Sequence, residues 1–246
     1  MLSRRIILPI AEPGWPLFEV CMISRSRSPA VGLLLSGGLD SAILLGQLLQ
    51  SDRDVQPFYI RAGLFWERHE LAATERLVAH FQGTKLRPLV VLEMPLADVY
   101  DNHWSVTGRG VPDGSTPDEA VYLPGRNALL LIKAAVWCSL NGIDELAMAP
   151  LGSNPFSDAT PEFFEGFQAV INVATAGNLV LSRPFAPLHK TDVMRLGSAF
   201  PLDLTFSCIA PVGELHCGQC NKCAERRQAF ASAELNDPTV YAAAGR

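Results

Sequence analysis

Short apolar runs, ended by glycine, proline or charged residues, alternate along this chain with longer stretches in which apolar residues recur every three or four positions. The runs at residues 30–35, 55–61, 86–93, 145–149 and 179–182 read as buried strands, and the periodic stretches at 41–50, 66–81, 126–140, 161–174 and 190–200 read as helices. Near-continuous apolar strands separated by helices are what a parallel sheet covered on both faces requires. The expected fold class is therefore α/β, a doubly wound and mostly parallel sheet. Residues 95–123 break the alternation: they have no clear period and hold Gly108, Gly110, Pro112, Gly114 and Pro117, which predicts a long loop. Loops of that length inside a compact domain usually carry function.

The first strand, Ala30-Val31-Gly32-Leu33-Leu34-Leu35, runs into Ser36-Gly37-Gly38-Leu39-Asp40-Ser41 and then into Ala42-Ile43-Leu44-Leu45. In a strand–turn–helix of this kind, successive backbone N–H groups and the positive end of the helix converge on one point, which suits an anion. The two glycines let backbone approach phosphate oxygens, Ser36 and Ser41 can donate hydroxyls, and Asp40 can hold the loop or ligate Mg2+. A plain Gly-rich turn with a Ser–Asp helix cap is the competing reading. No Gly-Lys-Ser/Thr follows, so the Walker-A loop is absent. The run resembles the Ser-Gly-Gly-x-Asp-Ser loop of the PP-loop ATP pyrophosphatases, and that resemblance implies cleavage of ATP between its α and β phosphates, giving AMP.

Composition narrows the partners. The 246 residues are 48% hydrophobic with a net charge of −5, enough for a substantial core and unfavourable for general nucleic-acid binding, which needs clustered Lys and Arg. Residues 1–29 carry Arg4, Arg5, Arg25 and Arg27 around a short stretch broken by Pro9, Pro13 and Pro16, too interrupted for a membrane span. They read as an extension before a domain over 30–200 and a small C-terminal unit over 201–246, in a cytoplasmic protein. Of six cysteines, four crowd together as Cys208-x8-Cys217-x2-Cys220-x2-Cys223, with Gly213 and Gly218 letting the chain wrap an ion. Four thiolates on short spacers suit a closed tetrahedral Zn2+ site. An iron–sulfur cluster is the rival, although the spacing is not a ferredoxin run. His216 reads as a solvent-side neighbour of that cluster. Cys138, in an apolar helical stretch, reads as a buried inert thiol, and Cys21 is left over. Phe58, Tyr59, Phe65 and Trp66 read first as core residues, and His69, His80 and His103 as surface or capping residues.

Further motifs extend the resemblance to one branch of the PP-loop group. Leu123-Pro124-Gly125-Arg126-Asn127 is similar to a Val-Pro-x-Arg-Asn element, Pro187-Leu188-His189-Lys190-Thr191-Asp192 to a Pro-Leu…Lys-x-Glu/Asp segment, and Thr205-Phe206-Ser207-Cys208 to Thr-Trp-Ser-Cys. With Cys217-Gly218-Gln219-Cys220-Asn221-Lys222-Cys223-Ala224-Glu225-Arg226 and Asp237-Pro238, the chain resembles the 7-cyano-7-deazaguanine synthases of queuosine biosynthesis over nearly its whole length from Ala30.

The resemblance implies that ATP adenylates a deazapurine carboxylate, 7-carboxy-7-deazaguanine. Ammonia then displaces AMP to give an amide, and a second ATP activates that amide for dehydration to a nitrile. It also implies a homodimer. The cations expected near the reacting centre are Lys190 and Arg126, each with a plain surface role as its alternative. One departure stands out. Between Gly152-Ser153-Asn154 and Pro161-Glu162-Phe163 the chain has only Pro155-Phe156-Ser157-Asp158-Ala159-Thr160, where the family carries a longer stretch. That opens the acceptor to a related deazapurine, an amide end product, or another amine, a protein amine included. An RNA-thiolating PP-loop enzyme and a binding module that uses its zinc knuckle are the competing functions.

Overall fold

The computed structural model describes residues 30–242 of the chain. The extension expected over residues 1–29, and Cys21 within it, lie outside the described residues. Five parallel strands form one sheet in the order β3-β2-β1-β4-β5: β1 Val31–Leu34, β2 Val55–Arg61, β3 Val90–Glu93, β4 Glu145–Ala147 and β5 Val180–Ser182. The longer helices are α1 Leu39–Gln50, α2 Glu67–His80, α5 Arg126–Leu140, α6 Pro161–Thr175 and α8 Asn221–Ser232, with α7 Lys190–Leu196 shorter. The α/β expectation holds, and the chain reverses direction across the sheet beside β1. In open parallel sheets that switch point is where a crevice opens at the carboxyl ends of the strands.

The strand period of two sorts β1 between two cores. Val31, Leu33 and Leu35 pack into one cluster with Ile43, Leu45, Val193 and Met194, while Leu34 joins Phe58, Leu131, Cys138 and Leu146 on the other face. Gly32 is the close-approach point of the second face. A Cβ there would lie 2.9 Å from the Cys138 sulfur and 3.0 Å from the Phe58 ring, so only glycine lets α5 pack down on β1 at that position. Cys138 is fully buried, and burial pushes its thiol up to about 12.

Several boundaries move for local reasons. The third strand starts at Val90 and not at 86, because Pro88 has no N–H to donate and Leu86 makes only an isolated bridge to Val55. The first helix starts two residues early, at Leu39, with Gly38 as its N-cap. Helix α7 stops at Leu196 with Gly197 as its C-cap, a position where an added Cβ would sit 2.3 Å from Ile43. The segment expected as a loop contains α3 Ala97–Tyr100, α4 Trp104–Thr107 and a 3-10 turn Asp118–Val121. Leu96, Val121 and Leu123 anchor it by burying against Phe206 and the cysteine cluster. His103 caps α4 by accepting from the Ser105 N–H, and the Trp104 indole stacks on Trp66 at 5.7 Å.

Helix α8 was absent from the sequence expectation. It grows out of the cysteine cluster with Cys220 as its N-cap, and its Ala229, Phe230 and Ala233 pack into the same core as β1 and α1. Among the described residues no helix is long and apolar enough to cross a membrane.

Candidate functional site

The Gly-rich loop closes on itself. The Ser36 N–H donates to Ser41 Oγ at 3.2 Å, the two hydroxyls lie 3.1 Å apart, and Ser41 Oγ donates to the Gly38 carbonyl at 3.2 Å. Gly37 takes φ +76°, and a Cβ there would lie 2.6 Å from the Glu70 carbonyl, so the turn needs glycine on two independent grounds. Its carbonyl accepts from the Phe206 N–H at 2.8 Å. The first turn of α1 follows at once, so loop amides and helix dipole point the same way.

Lys190, the first residue of α7, crosses to this loop and places Nζ 2.7 and 2.8 Å from the two carboxylate oxygens of Asp40. Ser36, Gly38, Leu39, Asp40, Ser41, Arg126 and Lys190 all border one cleft of about 330 Å³ at the carboxyl end of the sheet. Of the loop and cation positions singled out from sequence, all but Gly37 thus line a single crevice. Arg126 opens α5 deep in that crevice, with a buried Nε that has no hydrogen-bond partner.

The departing segment 155–160 is folded, not slack. Buried Asp158 accepts from the Asn127 N–H at 2.9 Å, its carbonyl accepts from Asn127 Nδ2 at 2.8 Å, and Tyr122 and Ser157 pair through their hydroxyls at 2.8 Å. An acidic side chain at the first turn of α5 satisfies an orphan amide and complements the helix dipole.

The four cysteines meet. Their sulfurs all lie within 4.8 Å of one another and all four residues are buried. The Cys208–Cys220 and Cys217–Cys223 sulfur separations are 3.8 and 3.9 Å. A tetrahedron of sulfurs each ~2.3 Å from a central ion has edges of roughly 3.8 Å, so the donor set fits a metal ion of that preference. Backbone amides support the sulfurs: Cys217 and Ala210 donate to Cys208, and Gln219 and Cys220 donate to Cys217. His216 is no ligand and not solvent-side. It is buried, its Nε2 accepts from the Ser207 N–H at 3.1 Å, and burial together with the Arg226 charge pulls its ring down to about 4.

A family model described as "Queuosine biosynthesis protein QueC" matches residues 30–234. The chain belongs to the QueC family. A relative named 7-cyano-7-deazaguanine synthase from Methanothrix thermoacetophila is 34% identical, covering 85% of this chain and 96% of its own. One of the same name from Thiobacillus denitrificans is 31% identical over 87% of this chain and 99% of its own. Among solved structures, a 4-thiouridine synthetase–RNA complex with bound ATP is 14% identical, with a TM-score of 0.48 over 84% of this chain and 50% of that one.

Sequence reading gave no role to three groups that border the cleft, Glu70, Lys222 and Glu225, and placed a fourth, Tyr59, in the core. Lys222 and Glu225 form an ion pair at 2.5 Å, and the Lys222 and Lys190 charges hold the Glu225 carboxyl down against the opposing effect of burial. Both stand inside the Cys-rich motif, where the metal-ligand spacing hid them. Glu70 sits on α2 with no motif around it.

Arg226 ties this chain's C-terminal motif together. Only 2% exposed, it donates to Thr205, Ser207, Thr239 and the Leu202 carbonyl. One guanidinium thereby fastens the Thr-Phe-Ser-Cys stretch to the C-terminal segment. His69 is likewise no surface residue. It stacks on Phe206 at 5.2 Å, with Nε2 2.8 Å from the Gly213 carbonyl.

Proposed function

We propose that this chain is an ATP-dependent carbon–nitrogen ligase that converts 7-carboxy-7-deazaguanine to the amide and then to the nitrile, 7-cyano-7-deazaguanine. The observation that carries the reading is the Asp40–Lys190 pair at 2.7 Å, which brings the Ser36–Ser41 loop and the start of α7 to one crevice. The relatives named 7-cyano-7-deazaguanine synthase support that product, and the carboxylated base is the substrate this reading infers from it.

In this reading the substrate carboxylate oxygen attacks the α phosphorus of ATP. The P–O bond to the β phosphate breaks, and pyrophosphate leaves into the amides and hydroxyls of the Ser36–Ser41 loop. Carboxylate alone is a poor electrophile, whereas the acyl adenylate expels AMP readily when ammonia attacks its carbonyl carbon. Lys190 and Arg126 stabilise the negative charge that develops on the phosphoryl and carbonyl oxygens. For the second round the amide oxygen attacks a second α phosphorus. Loss of the nitrogen protons and of AMP then leaves the nitrile.

Asp40 is the group that would hold the Mg2+ accompanying ATP, since each of its oxygens keeps a lone pair beside Lys190. Cys208, Cys217, Cys220 and Cys223 would hold Zn2+, whose contribution is to fix the knuckle that presents Phe206, Lys222 and Glu225 to the cleft. Asn127 borders the cleft and its N–H donates to Asp158, which ties the short 155–160 segment to the cleft from behind its lining.

The test is mass spectrometry of the product together with AMP counting, using the base, ammonium, magnesium and ATP. Two AMP per nitrile supports the full sequence, and one AMP with an amide restricts it to the first half. ATP turnover to ADP, or no AMP at all with this base, removes the reading.

A further inference from the structure

Glu70 borders the same cleft as Asp40 and Lys190 but pairs with neither. Its Oε2 accepts from the Tyr59 hydroxyl at 3.2 Å, and a carboxylate, with about four lone-pair sites, keeps acceptor capacity beyond that bond. Burial pushes its carboxyl up, and the chief counterweight is the charge of Arg126. Arg126 in turn keeps a buried Nε with no acceptor. The crevice therefore offers spare acceptor capacity on Glu70 and, on Arg126, a buried donor that the protein itself does not satisfy. Leaving that donor unmet is unfavourable unless a ligand completes it.

The complementary ligand edge must present donors to a carboxylate and, beside them, an acceptor to a guanidinium. Adenine does not: its amino group lies next to the N1 lone pair, which would face a carboxylate oxygen. A guanine-type edge does, with N1–H and the 2-amino group side by side and the 6-oxo oxygen next to them. Phe58, Ile60 and Leu130 supply apolar surface for such a flat ring in the same cleft.

We propose that Glu70 and Arg126 read the guanine-type edge of the substrate, Glu70 accepting from N1–H and the 2-amino group and Arg126 donating to the 6-oxo oxygen. This rests on the ligase reading above and refines it. In a 7-carboxylated deazaguanine the reacting carboxyl group is the neighbour of the 6-oxo group across the ring fusion. The arginine that fixes the base is thereby placed to reach the carboxylate as well, which joins recognition to activation.

The experiment is titration calorimetry of the full chain and of Glu70→Gln with 7-carboxy-7-deazaguanine, with its analogue lacking the 2-amino group, and with ATP. Glutamine keeps the shape and can still accept from Tyr59, so the melting temperature should be unchanged. The unmodified chain should bind the parent base at least ~10-fold more tightly than the analogue, as expected for a charge-assisted pair. Glu70→Gln should lose at least ~10-fold on the parent and discriminate little between the two bases, with ATP affinity retained. Equal affinity of both proteins for the parent overturns the edge-reading assignment and leaves the ligase reading standing. A loss confined to ATP overturns it too, by putting Glu70 on the nucleotide. If the unmodified chain binds ATP but neither base, the acceptor in the ligase reading falls and the edge reader with it.

Discussion

Lys190 and Asp40 stand 150 residues apart in the chain, and Nζ of the one meets both carboxylate oxygens of the other at 2.7 and 2.8 Å. Their side chains are about a quarter exposed, so the pair contributes on the order of 1 kcal/mol or less to stability. Its significance lies in where it stands, bridging the Gly-rich loop to α7 across the cleft. In the proposed reaction both groups act on the same phosphates. Asp40→Asn and Lys190→Met should each lower kcat by ~100-fold or more, with the melting temperature moving little and zinc retained. The double variant should fall short of the product of the two losses, because the groups act as a unit. Steady-state AMP release and a double-mutant cycle measure this.

Gly37 and Gly32 carry separate demands. At Gly37 an added Cβ meets both a positive φ and the Glu70 carbonyl at 2.6 Å, whereas at Gly32 it meets side chains packed between β1 and α5. Gly37→Ala should distort the loop and abolish ATP binding. Gly32→Ala should cost about 1–3 kcal/mol by overpacking while leaving the turnover of the folded fraction unchanged. Denaturant melts paired with ATP titration separate the two.

The cysteine cluster predicts about one zinc per chain, released by strong chelation or by Cys220→Ser. Loss of metal should unfold the segment from Cys208 to Cys223 and with it the Lys222–Glu225 pair, so AMP formation should fall together with zinc content. Metal analysis and far-UV circular dichroism on the same samples check the coupling. Visible absorbance of an iron–sulfur cluster in anaerobically purified protein would contradict the zinc assignment.

Arg226 is a buried charge that donates to four groups. Arg226→Met should destabilise by about 3 kcal/mol, because Thr205 and the Leu202 carbonyl lose their partner. Arg226→Lys should recover little, since one ammonium cannot span the same fork of acceptors. Chemical denaturation of both variants measures the difference.

Much of this was legible along the chain, and the reason is locality. Strand β2 falls where expected because Phe58, Tyr59 and Ile60 form an apolar run ended by Arg61, helix α5 because its apolar period is sustained, and the Ser36–Ser41 loop because its chemistry is contiguous. The four cysteines declare themselves by spacing alone. Lys190 needed a motif, since nothing local distinguishes it from a solvated helix start. Glu70 was hidden, being one of several acids on a helix whose inward face is set by packing against Tyr59 and Gly37. Helix α8 was masked by the cysteines that begin it. The one-turn helices between residues 95 and 123 are shorter than any period, and what orders them is burial of Leu96 and Leu123 against residues more than 80 positions further along the chain.

The central claim is that the substrate carboxylate attacks the α phosphorus of ATP in this cleft. It is tested most directly by supplying 7-carboxy-7-deazaguanine labelled with oxygen-18 in its carboxyl group and weighing the AMP released in the first turnover. The account predicts AMP carrying one label, because an oxygen of the carboxyl group leaves with the phosphoryl group when ammonia displaces it. Unlabelled AMP, or ADP in its place, would contradict it.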